Sequence, residues 1–165
     1  MARPKRTPIT SDNPAIAGPR APADRLYRAA CECVRQRQRY AALVEAATLD
    51  EEQRSALKVA SMADQVLQET IDAYEQGSSS GVSKEDTWYR KAIALWQASR
   101  DYERRHSATD HSTRNLGTHT PAGLKNLAME YDLEASALLA LQHALSAYRK
   151  ETPEAHIEAT SSRLN

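Results

Sequence analysis

The chain has 165 residues, which is enough for one domain with a core of its own. Its 22 basic and 22 acidic residues cancel, which argues against a protein that coats nucleic acid with a uniformly basic surface. The mean hydropathy is −0.68, and no apolar stretch approaches the roughly 18 residues that a membrane span needs. Two cysteines, Cys31 and Cys33, are too few for a disulfide framework, so we expect a cytoplasmic protein.

The two ends of the chain differ in composition from the middle. Residues 1–22 hold five of the seven prolines together with Arg3, Lys5 and Arg6, and they show no apolar periodicity. This composition predicts a disordered basic arm. Residues 151–165 are polar and predict a flexible tail.

Between these ends, apolar residues recur at alternating spacings of four and three, the period of packed helices. Helices are predicted from about Ala23 to Ala47, from about Asp50 to Gln76, and from near Ser83 to about His106. A fourth helix is predicted to begin at Thr120-Pro121, a capping hydroxyl followed by proline, and to run to about Lys150.

Four long helices predict an all-α fold, an antiparallel up-down-up-down four-helix bundle over residues 23–150. The fourth helix is apolar nearly all round from Leu133 to Tyr148. Because such a helix is usually the most buried one, we expect this segment to form the centre of the core.

Three charged residues occupy positions in the predicted apolar stripes. Arg37 lies in the first stripe, Asp64 can be drawn into the second, and Glu134 lies in the fourth. In an up-down-up-down bundle all three fall at about the same height, which predicts a buried polar layer in which Arg37 bridges one or both carboxylates. This layer is interpreted as a lock on register and topology, with a small-anion or substrate pocket around Arg37 as the alternative.

The segment from residue 107 to residue 120 is polar and is predicted to be a loop between the third and fourth helices. Convergent His and Asp side chains suit metal binding or acid–base chemistry, and long loops are often functional. The candidate interaction residues in this segment are Asp110, His111, Arg114 and His119.

The sequence Arg100-Asp101-Tyr102-Glu103-Arg104-Arg105-His106 resembles the Arg-x(4–6)-His pattern of HEPN ribonucleases. The resemblance covers these seven residues and the fold class, and Arg105 with His111 has the same spacing. It implies an all-α protein that dimerises to cleave RNA, with Arg100 and His106 acting together on the scissile phosphate.

The predicted function is non-catalytic: an interaction, adaptor or assembly subunit that contacts another protein or a second copy of itself. No phosphate-binding glycine loop, paired Glu-x-x-His motif or catalytic triad occurs in the sequence, and we expect no cofactor and no metal. An accessory protein that binds nucleic acid is the first alternative, and a small HEPN-like nuclease is the second. The basic residues for nucleic-acid contact would be Arg3, Lys5, Arg6, Arg100, Arg104 and Arg105.

Overall fold

The computed structural model describes residues 20–77, 87–115 and 120–151. Four helices account for nearly all of them: α1 (Ala21–Glu45), α2 (Asp50–Gly77), α3 (Thr87–Arg114) and α4 (Pro121–Glu151). These described ranges hold no strand, so the predicted all-α four-helix fold is confirmed. None of the helices in them is long and apolar enough to cross a bilayer.

Helix α1 begins at Ala21, two residues before the predicted start. Pro22 lies in its first turn, where a missing backbone N–H leaves no hydrogen bond unmade. Most of the predicted arm (residues 1–19) and of the predicted tail (residues 152–165) lies outside the described residues.

Side-chain hydroxyls complete two helix ends. At the turn between α1 and α2, Ala47 adopts a positive φ of 48°, and the Thr48 hydroxyl donates to the Leu43 carbonyl. At the start of α4, the Thr120 hydroxyl accepts a hydrogen bond of 3.1 Å from the backbone N–H of Gly123. This bond is the N-terminal cap that the Thr-Pro pair predicts.

Helix α3 was predicted to end at His106 but continues to Arg114. The added two turns contain neither proline nor glycine. The hydroxyls of Thr109 and Thr113 donate to backbone carbonyls one turn earlier, and Arg114 forms an ion pair of 2.8 Å with Asp110. The prediction of a polar loop here was wrong, because these polar side chains find partners within the helix itself.

Contacts between consecutive helices join an early part of one helix to a late part of the other. Gln53, early in α2, donates to the carbonyl of Leu43, late in α1, whereas Asp64, farther along α2, pairs with Arg37, farther back in α1. Helices α2 and α3 show the same reversal, in the contacts Glu75–Trp96 and Asp64–His106. Helices α3 and α4 show it in the contacts Thr109–Glu130 and His106–Glu134. The packing is consistent with the up-down-up-down order.

The apolar core fills one half of the bundle, between the level of Arg37 and the end where α1 begins and α4 ends. In this half, the Tyr148 hydroxyl donates to Asp24 across α4 and α1 at 2.7 Å, and the rings of Tyr27 and Tyr148 lie 5.4 Å apart. The fully buried large side chains are Leu26, Leu67, Leu95, Tyr102, Leu141 and Tyr148.

The other half of the bundle is open. Its helices carry apolar residues at the positions where the predicted stripes continue, yet Val44 is 47% exposed, Leu57 39% and Tyr131 51%. Helix α1 packs chiefly on α2, and α3 packs chiefly on α4. The two helical hairpins therefore make little common core beyond the level of Arg37.

Helix α4 is not the most buried helix, contrary to the sequence-based prediction. Only Ala137, Leu141, Leu145 and Tyr148 are buried in it, and they share one face. Leu139 is 53% exposed. The other three helices can cover only one face of α4, so apolar side chains on the remaining faces stay in contact with solvent.

Two leucines of α4 should therefore differ sharply in their contribution to stability. Leu141→Ala should lower the free energy of unfolding by about 2–5 kcal/mol, the usual cost of truncating a buried leucine. Leu139→Ala should cost less than about 1 kcal/mol, because its side chain is half in water. Urea unfolding followed by circular dichroism measures both, and equal costs would contradict the burial described above.

Candidate functional site: a buried polar layer and an uncharged helix face

The polar layer begins with an ion pair between α1 and α2. Arg37 donates to Asp64 through both Nη2 and Nε, in a fork that engages both carboxylate oxygens. The side chains are only 15% and 14% exposed. A guanidinium and a carboxylate suit this planar contact, and their mutual charge offsets the cost of taking each out of water.

His106 of α3 joins this pair to α4. Its Nε2 lies 2.6 Å from Nη2 of Arg37 and its Nδ1 lies 2.8 Å from Oε1 of Glu134. The carboxylate of Glu134 only accepts, so Nδ1 carries the proton that is donated to it. Nε2 faces the guanidinium and also lies 3.4 Å from Oδ2 of Asp64, and the layer thus contains one residue from each helix.

The charges in the layer shift the pKa values of two members. Burial by itself would raise the pKa of Glu134, but the hydrogen bond and charge of His106, with smaller effects from Thr109 and Arg37, bring it below its usual value. Burial alone would lower the pKa of Arg37, yet the hydrogen bond to Asp64 and the neighbouring negative charges raise it. Both groups are therefore held in their ionised forms.

Two further buried side chains form hydrogen bonds to Asp64. The Cys33 thiol lies 3.1 Å from Oδ1 of Asp64, and the Tyr102 hydroxyl donates to the same oxygen at 3.3 Å. Burial, reinforced by nearby negative charge, raises the pKa values of both groups. Cys33 is thus a buried thiol that donates a weak hydrogen bond and is held away from the reactive thiolate form.

The layer is arranged to hold helices together. Both ring nitrogens of His106 are engaged, so a substrate would have to displace Arg37 or Glu134 to reach the imidazole. Arg37, for its part, already contacts Asp64 and His106. This geometry favours the interpretation as a topology lock over a small-anion pocket.

His106 is the member of the layer that the sequence reasoning did not include. The sequence does contain a pattern that places His106 in the layer, because the apolar stripe of α3 continues from Ser99 to Tyr102 and on to His106 with the same alternating spacing. The ring of His106 stacks on that of Tyr102, with centroids 5.9 Å apart. Ending the helix at His106 concealed this position.

The residues proposed for the interhelical loop do not form a common site in the described part of the chain. Asp110, His111 and Arg114 lie on the last turns of α3. Asp110 pairs with Arg114, and His111 contacts Asn115. His119 lies outside the described residues.

The arginines proposed for nucleic-acid contact or RNA cleavage fall into separate arrangements. Arg100 pairs with Glu75 of α2, and Arg104 pairs with Asp101 of its own helix. Arg105 is half-buried. Arg100 and His106 therefore belong to two different networks, and Arg3, Lys5 and Arg6 lie outside the described residues.

Over residues 20–77, 87–115 and 120–151, no group of three or more histidine, cysteine, aspartate or glutamate side chains is placed to hold a metal ion.

The second feature of interest is the exposed side of α4. From Leu133 to Tyr148 this helix carries a single formally charged residue, Glu134, and that residue belongs to the polar layer. We define the α4 outer face as the exposed residues on the opposite side from the core. They carry no Lys, Arg, Asp or Glu, and they are Ala135, Ser136, Leu139, Ala140, His143 and Ser146.

Comparison with protein-family models, with curated proteins and with solved structures found no match to this chain. The resemblance to HEPN ribonucleases consequently rests on the seven residues from Arg100 to His106.

Removing the cation from the polar layer should be costly. Arg37→Ala should lower the free energy of unfolding by about 3–5 kcal/mol, because it leaves Asp64 buried without its partner. Arg37→Met combined with Asp64→Leu should cost much less, since neither member of the ion pair is left without the other. Arg35→Ala, which removes an exposed pair with Glu32, is the matched control and should cost less than about 1 kcal/mol. If Arg37→Ala costs no more than Arg35→Ala in urea unfolding, the layer does not stabilise the bundle.

The lowered pKa of Glu134 predicts a stability loss in acid. A glutamate in the unfolded chain has a pKa of about 4.3. Because the folded value is lower, ionised Glu134 stabilises the fold above that pH, and the contribution disappears as the pH falls through the folded value. The difference in unfolding free energy between wild type and Glu134→Gln should therefore shrink as the pH falls below about 4.3. Glu45→Gln, at an exposed position of α1, is the control and should show no such pH dependence. A difference in unfolding free energy between wild type and Glu134→Gln that grows in acid would contradict the lowered pKa of Glu134.

Proposed function

We propose that the protein is a non-catalytic interaction subunit that binds another protein through the α4 outer face. The observation that carries this proposal is the absence of formal charge on that face over four turns of an exposed, apolar helix. The exposed faces of the other helices are charged; α3, for example, presents Arg90, Arg100, Arg104 and Arg114 to solvent.

An apolar helix is normally covered on most of its circumference. In α4 the inner face is covered by the bundle, while Leu139 on the outer face is 53% exposed and Leu133 beside it 41% exposed. Covering such side chains is favourable by about 25 cal/mol per Å² of apolar surface. Leu139 and Leu133 would therefore gain from being covered by a partner, and no charged side chain of the α4 outer face would have to be desolvated.

The shape of this face suits a helix as the contacting element. Ala135 and Ala140 are small, so a second helix axis can approach to roughly 8–10 Å. Leu139 and His143 supply the larger side chains between them. The partner is expected to present an amphipathic helix whose contacting side chains are also mostly uncharged.

The bundle holds this face in a fixed orientation. The inner side of α4 is tied to α3 by the bond between Glu134 and His106, and to α1 by the bond between Tyr148 and Asp24. These two contacts lie toward opposite ends of the face. A preorganised surface loses little conformational entropy on binding, which favours association.

A second exposed apolar strip lies on α2, and its surroundings differ. Val59, Met62 and Val66 are 41%, 59% and 52% exposed, but charged side chains flank them at Lys58 and Glu69. Charge within a patch must be desolvated when the patch is covered, which reduces the gain. The α4 outer face is therefore the better candidate.

Capture from the native cell with matched variants tests the proposal. Ala140→Glu places a charge on the α4 outer face, next to Leu139, whereas Ala94→Glu makes the same change on an exposed position of α3. Proteins bound through α4, including any untagged copy of the chain, should be retained by wild type and Ala94→Glu and lost from Ala140→Glu. The same order should hold when the captured protein is purified and titrated against the three forms.

Circular dichroism should show that both variants keep the helical fold. If no captured protein distinguishes Ala140→Glu from Ala94→Glu, the α4 outer face is not a protein-binding surface and the proposal is wrong.

A further inference from the structure

One line of exposed residues on the α4 outer face ends at an acidic residue on one side and at a basic residue on the other. Along its centre runs a line of exposed residues with the alternating four-three spacing of a helix-packing seam. Asp132 stands at the N-terminal end of this line and Lys150 at the C-terminal end, and both are exposed. The complete line is Asp132, Ser136, Leu139, His143, Ser146 and Lys150.

We propose that the partner of the α4 outer face is a second copy of this chain, packed with its α4 antiparallel to the first. This inference rests on the proposed function, since it names the occupant of the same surface. It commits to one register, which follows from the charges at the two ends of the line.

In the antiparallel arrangement the spacing of the line matches itself when reversed. A two-fold axis beside residue 141 brings each member of the line opposite another member in the second copy. The opposed pairs are Asp132 with Lys150, Ser136 with Ser146, and Leu139 with His143. Every pair occurs twice, and the only formal charges on the line meet an opposite charge.

Other arrangements of two copies lack this charge match. In a parallel pairing of the same line, Asp132 would face Asp132 of the second copy and Lys150 would face Lys150, which is unfavourable. Self-pairing through α2 would bring together two helices that each carry seven acidic and two basic residues. Charge complementarity thus selects α4 and selects the antiparallel direction.

The proposed contact is small. The line from Asp132 to Lys150 is about 27 Å long at 1.5 Å per residue, and each copy contributes one helix. Such an interface falls below the roughly 1,200 Å² that stable complexes bury. The dimer should therefore be weak and reversible, with a dissociation constant on the order of 100 μM, and visible only as the protein concentration rises.

Sedimentation velocity of the full chain measures the dissociation constant of the dimer. Concentrations from about 5 μM to about 1 mM cover the range of weak association. The wild type is compared with variants in which one or both of the end charges are reversed. Asp132→Lys and Lys150→Glu should each raise the dissociation constant roughly tenfold, because the two-fold axis makes every substitution count twice. Combining the two substitutions restores both opposed pairs and should return the constant to near the wild-type value. Lys58→Glu on exposed α2 makes the same change as Lys150→Glu away from the face and should leave the constant unchanged.

The outcomes separate this inference from the proposed function. A chain that stays monomeric up to about 1 mM, well above the expected dissociation constant, overturns the proposed self-association. A dimer that neither single charge reversal weakens overturns it as well. If the chain is monomeric while a captured protein still depends on Ala140, the second-copy proposal fails and the proposed function stands. Single reversals that weaken the dimer without recovery in the combined variant overturn the antiparallel register.

Discussion

The bidentate pair between Arg37 and Asp64 is the interaction on which the rest of the bundle depends. A buried guanidinium cannot give up its proton, so it needs a counter-charge beside it. Asp64 supplies the counter-charge, and His106 contacts the guanidinium through Nε2 while it donates to Glu134 through Nδ1. One positive charge in α1 thereby determines what faces it from the three other helices.

The same layer divides the bundle into two parts of different character. Toward the end with Ala21 and Glu151 the helices share an apolar core closed by Tyr148 and Asp24. Toward the other end, residues such as Val44 and Tyr131 continue the stripes but remain exposed. Within residues 20–77, 87–115 and 120–151, no fifth element covers α4 from outside. The α4 outer face, which carries no formal charge, is therefore exposed in this part of the chain.

The sequence was sufficient to predict the helical fold, but it was not sufficient to predict the burial of α4, the helix that carries the candidate surface. Alternating apolar spacing located four helices, and the position of Arg37 in a stripe indicated a buried charge. The end of α3 was misjudged because Thr109 and Thr113 look like loop residues, whereas their hydroxyls bond back into the helix. The burial of α4 was misjudged because apolarity alone does not say how many neighbours are present to cover a helix. That number depends on the whole assembly and is not encoded in the pattern of α4 alone.

Native-state amide hydrogen exchange measures whether the polar layer separates a packed half of the bundle from an open half, because it reports local stability on both sides of the layer. The slowest exchange is expected in the segments that form the apolar core, residues 26–36 of α1 and 137–148 of α4. Faster exchange is expected beyond the layer, in residues 38–45 and 121–131. Equal protection on both sides of Arg37 would contradict this division, because the layer would then mark no boundary between the two halves.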